Sequence, residues 1–320
     1  MPKKPSFQVV LTALADTSTA FPARYHELFS DLAQADLAAL MKLWPDLPKT
    51  RKRSLLSKLV EVYKEDTVLS FEELAAAVLD DSDEHIRSEA LRLLVETSNT
   101  RILPRVIELA TSDPSVDVQA RAASVLGSFV ELGELEEIVT EALRQVEETL
   151  LKLARAENAD LQRAAIESLG YSSRPETEVI IQNAYTRHDP KWVASALLAM
   201  GRSANAHWEE LVLSKLSDPD DDVRRNAVQA SGELRLEAAR QFLLDLLEEE
   251  EDDAIFAAAV WALSQIGGED VRVTLETLLD QAEDDEIIEY IEEALANLDF
   301  TEEMNAFDLL SLDPDDDPEK

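Results

Sequence analysis

The sequence predicts an all-α fold, a right-handed α-solenoid of about seven to eight stacked helix pairs. One apolar pattern returns at a nearly constant interval along the 320 residues. Hydrophobic residues make up 45% of the chain, with only seven glycines, and alanine, leucine and glutamate, which favour helices, dominate. Acidic turns separate the amphipathic segments. Because a single helix pair cannot bury its apolar face alone, we expect the pairs to stack on one another.

The repeated pattern marks the second helix of each pair, here called the B helix, and its first apolar residue is the anchor. In IRSEALRLLV, residues 86–95, apolar residues stand at offsets 0, +4, +5 and +8 from the anchor Ile86. A looser copy begins at Leu55. Six later copies share the spacing, and their anchors are Val118, Leu161, Trp192, Val223, Ile255 and Ile287. From Ile86 the steps are 32, 43, 31, 31, 32 and 32 residues, a regularity that predicts one constant register.

The step of 43 residues is the exception. Its excess of 11 residues over the step before it is close to three helical turns. Residues 134–158 show an uninterrupted helical pattern, so we predict an elongated first helix, or A helix, in this pair. Such an insertion would leave the register of the stack intact.

The segments between and after the helices predict the boundaries. Aspartates 220–222 follow an Asp-Pro turn and would cap the next helix. Glycines follow the B-helix pattern at positions 127, 170, 201, 232 and 267, where they either stop a helix or permit close packing. The predicted organisation is an irregular helical region over residues 1–66 that includes a degenerate first repeat, a solenoid over 67–298, and an acidic C-terminal cap or tail over 299–320.

The tail over 299–320 loses the repeat and alternates acids with Met304, Phe307 and several leucines. Two interpretations compete. The leucines fold back, through about Leu312, and cap the last repeat, as terminal repeats require. Otherwise they form a linear motif that a partner's groove captures.

The pattern V-R-x-x-A-A-x-x-L-G followed by an acidic turn resembles HEAT repeats of the short bacterial kind that is named after phycobilin lyases. The resemblance covers residues 68–298. Arg87 and Arg224 match the B-helix arginine of that family. Five positions depart from it, so we expect no continuous polar ladder; they are Gln119, Gln162, Val193, Phe256 and Ile288. The resemblance implies an interaction scaffold.

The net charge of the chain limits the classes of partner that it is expected to bind. Thirty basic and 67 acidic residues give a net charge of −37. Such a chain repels phosphate backbones and anionic lipids, so we predict neither a nucleic acid nor a membrane partner and expect basic partners to be favoured. The apolar runs fall short of the ~20 residues that cross a bilayer, and the N-terminus does not read as a signal peptide. We therefore expect a cytoplasmic protein.

One dense basic cluster, KTRKRSLLSK at residues 49–58, departs from this acidic background. It could contact RNA, an acidic partner or the chain's own acidic tail. More often such a run is a solvated helix start.

Catalytic motifs are sparse. The absence of cysteine excludes disulfides, thiolate zinc sites and cysteine nucleophiles. Some HEAT-like proteins are di-iron hydroxylases with repeated His-Glu pairs, but His26-Glu27 is the single pair here. Asp218, Asp220 and Asp222 imitate a calcium loop without its glycine and final glutamate. We predict no enzyme, metal or cofactor; the alternative is an enzyme or chromophore-handling protein of the bilin-lyase-like kind with an unrecognised site.

A helical wheel predicts the exposed face of each B helix. At 100° per residue, offsets 0, +1, +4, +5 and +8 are buried and +2, +3 and +6 point outward, toward the expected concave surface. Leu198 and Trp261 are the apolar members of the +6 row. The predicted partner-binding residues are Ala194, Leu198, Arg225, Gln229, Ala258 and Trp261.

In this set Trp261 is the anchor, Leu198 its apolar companion, and Arg225 and Gln229 the orienting polar contacts. The alternative is that Trp261 only completes packing between helices. The predicted function is non-catalytic binding of another protein, with a monomer favoured over an oligomer. A further alternative is an acidic mimic that occupies a basic partner.

Overall fold

The computed structural model describes residues 6–66 and 68–311, which form α-helices joined by turns and short 3-10 segments, with no β-strand among them. The predicted all-α fold is confirmed. The chain divides into two compact units, residues 1–172 (the first unit) and 173–320 (the second unit). Each unit is a stack of helix pairs.

In the first unit the helices are α1 (Phe7–Ala15), α2 (Gln34–Leu43), α3 (Lys49–Glu65), α4 (Glu72–Ala77), α5 (Glu84–Arg92), α6 (Leu103–Ser112), α7 (Val116–Glu134), α8 (Thr140–Leu153) and α9 (Ala159–Leu169). In the second unit they are α10 (Pro175–Tyr185), α11 (Pro190–Arg202), α12 (Glu209–Leu213), α13 (Asp221–Glu233), α14 (Arg240–Glu249), α15 (Asp253–Ile266), α16 (Glu269–Gln281) and α17 (Asp285–Ser311). The B helices are the odd-numbered ones from α3 onward.

Each B helix packs on the next B helix of its unit, and from α5 onward also on the A helix of its own pair. The anchors are buried from Leu55 through Ile255, which confirms the predicted register. Ile287 is the exception, at 49% exposed, and its assignment to the core was wrong. In α17 the buried positions among the described side chains include Ile291, Ala294 and Leu298, and the helix packs on α15 and α16.

The prediction of one elongated helix over residues 134–158 is also wrong. Helix α7 runs through Glu134, the chain turns, and α8 begins at Thr140. Glu136 has a φ of +61°, and the amide of Glu137 donates to the carbonyl of Leu132 at 2.8 Å. This is a Schellman stop with glutamate at the left-handed position that glycine usually occupies. The extra residues are thus shared between a longer α7 and a longer α8.

The glycines of the B helices serve mainly close packing, one of the two predicted roles. Gly127, Gly201 and Gly232 lie inside helices. A Cβ at Gly232 would lie 2.6 Å from the Cα of Ala262 on the next B helix. By contrast Gly267, with a φ of +79°, ends α15.

Helix α17 crosses the predicted boundary at residues 298–299 without a break and continues to Ser311. The predicted fold-back therefore does not begin within residues 299–311; the rest of the tail lies outside the described residues. Leu298 and Thr301 are buried, whereas Phe300 and Met304 are exposed.

Candidate functional site

The outward row of the B helices is found where the helical wheel places it. No residue at offset +6 is buried in either unit. In the first unit the row reads Glu61, Arg92, Ser124 and Glu167; in the second it reads Leu198, Gln229, Trp261 and Glu293. The first row is entirely polar, whereas the second contains two apolar side chains.

Trp261 is the exposed tryptophan of the chain. Its side chain is 37% exposed, whereas each of the other three tryptophans is at most 8% exposed. Ala257 and Ala258 precede it by one turn of α15 and are half-buried. Side chains three and four residues apart are neighbours on a helix, so single methyl groups precede the indole on its own helix, and Ser264 and Gln265 follow it. The indole is therefore partly packed and partly open.

The other apolar members of the predicted set differ in accessibility. Leu198 is half-buried and offers part of its side chain. Ala194 is buried, so it offers little surface, contrary to the outward orientation predicted for offset +2. Helix α11 packs closely on α13, where a Cβ on Gly201 would lie 3.0 Å from the Cα of Ala230, so less of α11 is open than a helical wheel of the isolated helix implies. Phe256, predicted to lie in the core, is half-buried.

The two predicted polar contacts are held along their own helix. Arg225 pairs through Nη2 with Asp222 Oδ1 at 2.6 Å, and Gln229 donates through Nε2 to Glu233 Oε1 at 2.8 Å. Arg225 is half-buried and Gln229 is exposed. Ion pairs at such exposed sites contribute little net free energy. Both side chains can therefore exchange these contacts for contacts to a partner.

The side of this face formed by α17 is strongly negative. Glu289, Glu292 and Glu293 are exposed, and none forms an ion pair within the described part of the chain. Tyr290 donates its hydroxyl to the carbonyl of Ala257 at 2.8 Å, which ties α17 to α15. Burial, and then the charge of Glu293, raise the pKa of the Tyr290 hydroxyl. Both the geometry and this shift place negative charge beside α15.

The basic cluster at residues 49–58 is engaged within the first unit. Lys52 Nζ lies 3.2 Å from Asp81 Oδ2, and Arg53 binds both carboxylate oxygens of Asp83 at 2.8 to 3.1 Å. Arg51 donates to backbone carbonyls of the segment after α1. The cluster begins α3, as one of the predicted interpretations has it, but much of its charge is paired rather than solvated.

These contacts shift the titration of the two aspartates. Burial raises the pKa of Asp83, but hydrogen bonds from Arg53 and the His85 amide, with the nearby positive charges, outweigh it and hold the pKa below its usual value. The pKa of Asp81 is lowered in the same way, against burial, by hydrogen bonds that include one from Lys52. Both aspartates therefore carry their negative charge at neutral pH.

The residues considered for metal chemistry have other contacts. His26 is buried, with Nδ1 2.9 Å from the carbonyl oxygen of Ala23. Asp220 caps α13 by accepting from the Val223 amide at 3.1 Å, and Asp218 pairs with Lys215 at 2.9 Å. Among the described residues there is no group of three His, Cys, Asp or Glu side chains placed to hold a metal ion. Over the same residues no helix is long and apolar enough to span a membrane.

A groove that the sequence reasoning missed lies between α7 and α9 of the first unit. It has a volume of about 430 Å³, and its lining includes Arg121, Ser124, Arg163 and Glu167. These residues occupy offsets +2, +3 and +6, so the polar +6 row of the first unit was the available signal. The lining mixes both charge signs and is largely polar, unlike the surface around Trp261.

A family model for HEAT repeats matches residues 209–296, from α12 into α17. No curated protein matches the chain. Among solved structures, Escherichia coli YibA is similar at 16% identity and a TM-score of 0.42, over 89% of this chain and 98% of that one.

Two further solved structures have comparable scores. The complex of CpcE and CpcF of phycocyanin lyase from Nostoc is similar at 18% identity and a TM-score of 0.45, over 71% of this chain and 94% of that one. Importin beta is similar at 16% identity and a TM-score of 0.41, over 91% of this chain and 46% of that one.

Proposed function

We propose that this HEAT-repeat protein is a non-catalytic scaffold that binds another protein on the outward face of the B helices of its second unit, around Trp261. The observation that carries the proposal is the exposure of this one tryptophan while the other three are buried. Tryptophan is among the residues most enriched at interface hot spots, where a large side chain enters a desolvated pocket of the partner.

The surroundings of Trp261 fit the anatomy of an interface. Leu198 stands two repeats earlier in the same row and supplies a second apolar contact. Gln229 and Arg225 lie on the helix between them and form a polar rim. Ala258 leaves room for a partner's backbone beside the indole. Because these residues lie on three successive B helices, a partner would contact several repeats at once.

The test uses the full chain as bait in lysate of its native source, as wild type and as Trp261→Ala. The matched control is Val179→Ala, which removes an apolar side chain that is 62% exposed on the A helix α10 of the same unit. We expect a partner that wild type and the control retain and Trp261→Ala loses. Mass spectrometry identifies the captured protein, and circular dichroism confirms that both variants fold.

The captured protein is then purified and titrated against all three baits. Loss of a hot-spot tryptophan typically costs 2 kcal/mol or more, so we expect Kd to rise at least about 30-fold with Trp261→Ala and to be unchanged with the control. Equal affinity for all three would overturn the proposed site.

A further inference from the structure

The chemistry of the partner at Trp261 follows from the charges around it. We propose that the segment bound there is a basic polypeptide, with a lysine or arginine side chain stacked on the indole of Trp261 and further cations beside Glu289 and Glu293. The inference rests on the proposed function and names the class of its partner.

The two carboxylates belong to α17, the helix that packs beside the helix of Trp261. Trp261 and Glu293 hold the same +6 place on α15 and α17, two B helices that pack on each other. The bond from Tyr290 to the carbonyl of Ala257 fixes the register of this pair. Packed helix axes lie about 8–10 Å apart, so Glu293 lies on the neighbouring helix at about the level of Trp261, and Glu289 lies one turn earlier. Both carboxylates are exposed, as is the indole.

Among the described residues, no basic side chain forms an ion pair with these carboxylates. Residues 241–311 contain 22 acidic residues and one basic residue, Arg272. Arg272 is already committed, since its Nη2 lies 2.7 Å from Asp299 Oδ1 and 2.5 Å from Glu302 Oε2. Helix axes about 8–10 Å apart put Glu293 at a separation from the indole comparable to the ~8 Å Debye length at physiological salt, so salt weakens its field at Trp261 without removing it.

This field selects among occupants. An acidic partner would be repelled, and a second copy of the chain would bring the same unpaired glutamates to the interface. A basic segment is attracted both by the carboxylates and by the indole, because tryptophan has the aromatic face that binds cations most strongly. The chain itself contains such a stack, with the guanidinium carbon of Arg187 3.5 Å from the ring centroid of Trp192.

The experiment measures the affinity of a fluorescein-labelled deca-lysine peptide for the full chain by anisotropy, with deca-glutamate and a Gly-Ser decapeptide for comparison. Three proteins are compared with wild type. Trp261→Ala leaves the net charge unchanged. Glu289→Gln/Glu293→Gln removes the two carboxylates at the site. Glu276→Gln/Asp280→Asn removes two exposed carboxylates, without ion pairs among the described residues, from the A helix α16 of the same repeat.

We expect deca-lysine to bind, and the Kd to rise about tenfold with Trp261→Ala and with the site double variant. The α16 double variant should change the Kd less than about twofold, because its carboxylates lie on the A-helix side of the repeat. Binding should also quench the emission of wild type and not of Trp261→Ala, since Trp261 is the exposed tryptophan.

Three results would overturn the inference. Equal weakening by the two double variants would mean that deca-lysine responds to total charge alone. An unchanged Kd with Trp261→Ala would show that no cation of the peptide stacks on the indole. Preferential binding of the neutral or acidic peptide would exclude a basic partner. If the lysate partner depends on Trp261 while deca-lysine does not, the proposed function survives and only this inference fails.

Discussion

The two units stack the same helix pair but differ in how one repeat is joined to the next. In the first unit, basic side chains of one B helix reach the acidic turn of the following repeat. Lys52 and Arg53 bind Asp81 and Asp83, and Arg87 makes two 2.8 Å hydrogen bonds to Asp113. In these three pairs every side chain except that of Arg53 is buried or nearly buried.

In the second unit the equivalent link is weaker and packing takes its place. Arg224 lies 3.4 Å from Glu250 and also pairs with Asp221 on its own helix. Close contacts of glycine with alanine join the B helices instead, at Gly201 against Ala230 and at Gly232 against Ala262. The two units therefore keep a similar repeat spacing although ion pairs link the repeats of one and glycine–alanine contacts link those of the other.

The acidic surplus is divided unevenly between the units. Residues 1–172 contain 19 basic and 29 acidic residues, and residues 173–320 contain 11 and 38. The first unit thus has more cations to pair with its carboxylates, whereas the second leaves many carboxylates exposed. The repeat fixes the spacing of the helices, whereas the contacts between repeats can differ. The first unit uses its charges mainly in internal ion pairs, and the second unit exposes many of them.

The largest effect is expected when the Arg87–Asp113 ion pair of the first unit is broken. Asp113→Ala leaves the guanidinium of Arg87 buried without its carboxylate, which should cost about 3–5 kcal/mol. Glu250→Ala breaks the equivalent but looser and more exposed link of Arg224, and should cost about 1 kcal/mol or less. Hydrogen exchange read by mass spectrometry follows α5–α7 and α13–α15 separately. Equal losses of protection would remove the distinction between the two joints.

The second effect tests the packing joints. Gly232→Ala places a Cβ 2.6 Å from the Cα of Ala262, so backbone must move, and overpacking of this kind costs about 1–3 kcal/mol. Gly127→Ala meets first the hydroxyl of Ser168, at 2.9 Å, and backbone only at 3.3 Å. The hydroxyl can give way without a backbone shift, but it donates to the carbonyl of Ala123 at 2.9 Å, and weakening that hydrogen bond should cost about 1 kcal/mol. Urea denaturation of both variants measures the order, and a larger loss at Gly127 would contradict it.

Much of the fold was predictable from the sequence, because burial of one helix face repeats with the helix pair. Seven buried anchors and the exposed +6 row followed from spacing alone. Three features did not, since each depends on contacts that no local pattern encodes. A glutamate, Glu136, takes the left-handed position that ends α7; Ala194 is buried although its offset points outward; and Ile287 is exposed although it holds an anchor position.

The candidate site divides in the same way. The outward placement of Trp261 and the interruption of the polar ladder at Gln119 and Gln162 were predictable, since these glutamines bond only to carbonyls of their own repeat. The commitment of Arg272 to Asp299 and Glu302 joins residues about 30 positions apart and needed the structure. It leaves Glu289 and Glu293 without an ion pair among the described residues. The charge of the site was visible in the composition, but its location beside the indole was not.

The smallest expected effect concerns the acid sensitivity of the first unit. His26 is buried against Phe21, with ring centroids 5.3 Å apart. Burial lowers the pKa of His26 below its ordinary 6.5; the hydrogen bond to Ala23 and the charge of Glu61 raise it, and the charge of Lys58 lowers it, but burial prevails. The unfolded chain therefore binds a proton at a higher pH than the folded one.

The sign of the linkage follows from that order. The contribution of His26 to stability is complete above pH 6.5 and is lost as the pH falls through the lower folded value. We expect the urea midpoint of the first unit to fall between about pH 7 and pH 5, and to fall less in His26→Gln, while an NMR titration places the folded pKa below 6.5. The second unit, whose histidines His188 and His207 are exposed, provides the reference within the same molecule. Identical pH profiles for wild type and His26→Gln would assign the acid sensitivity of the first unit to Asp81 and Asp83 instead, since their lowered pKa values also make stability fall as the pH falls.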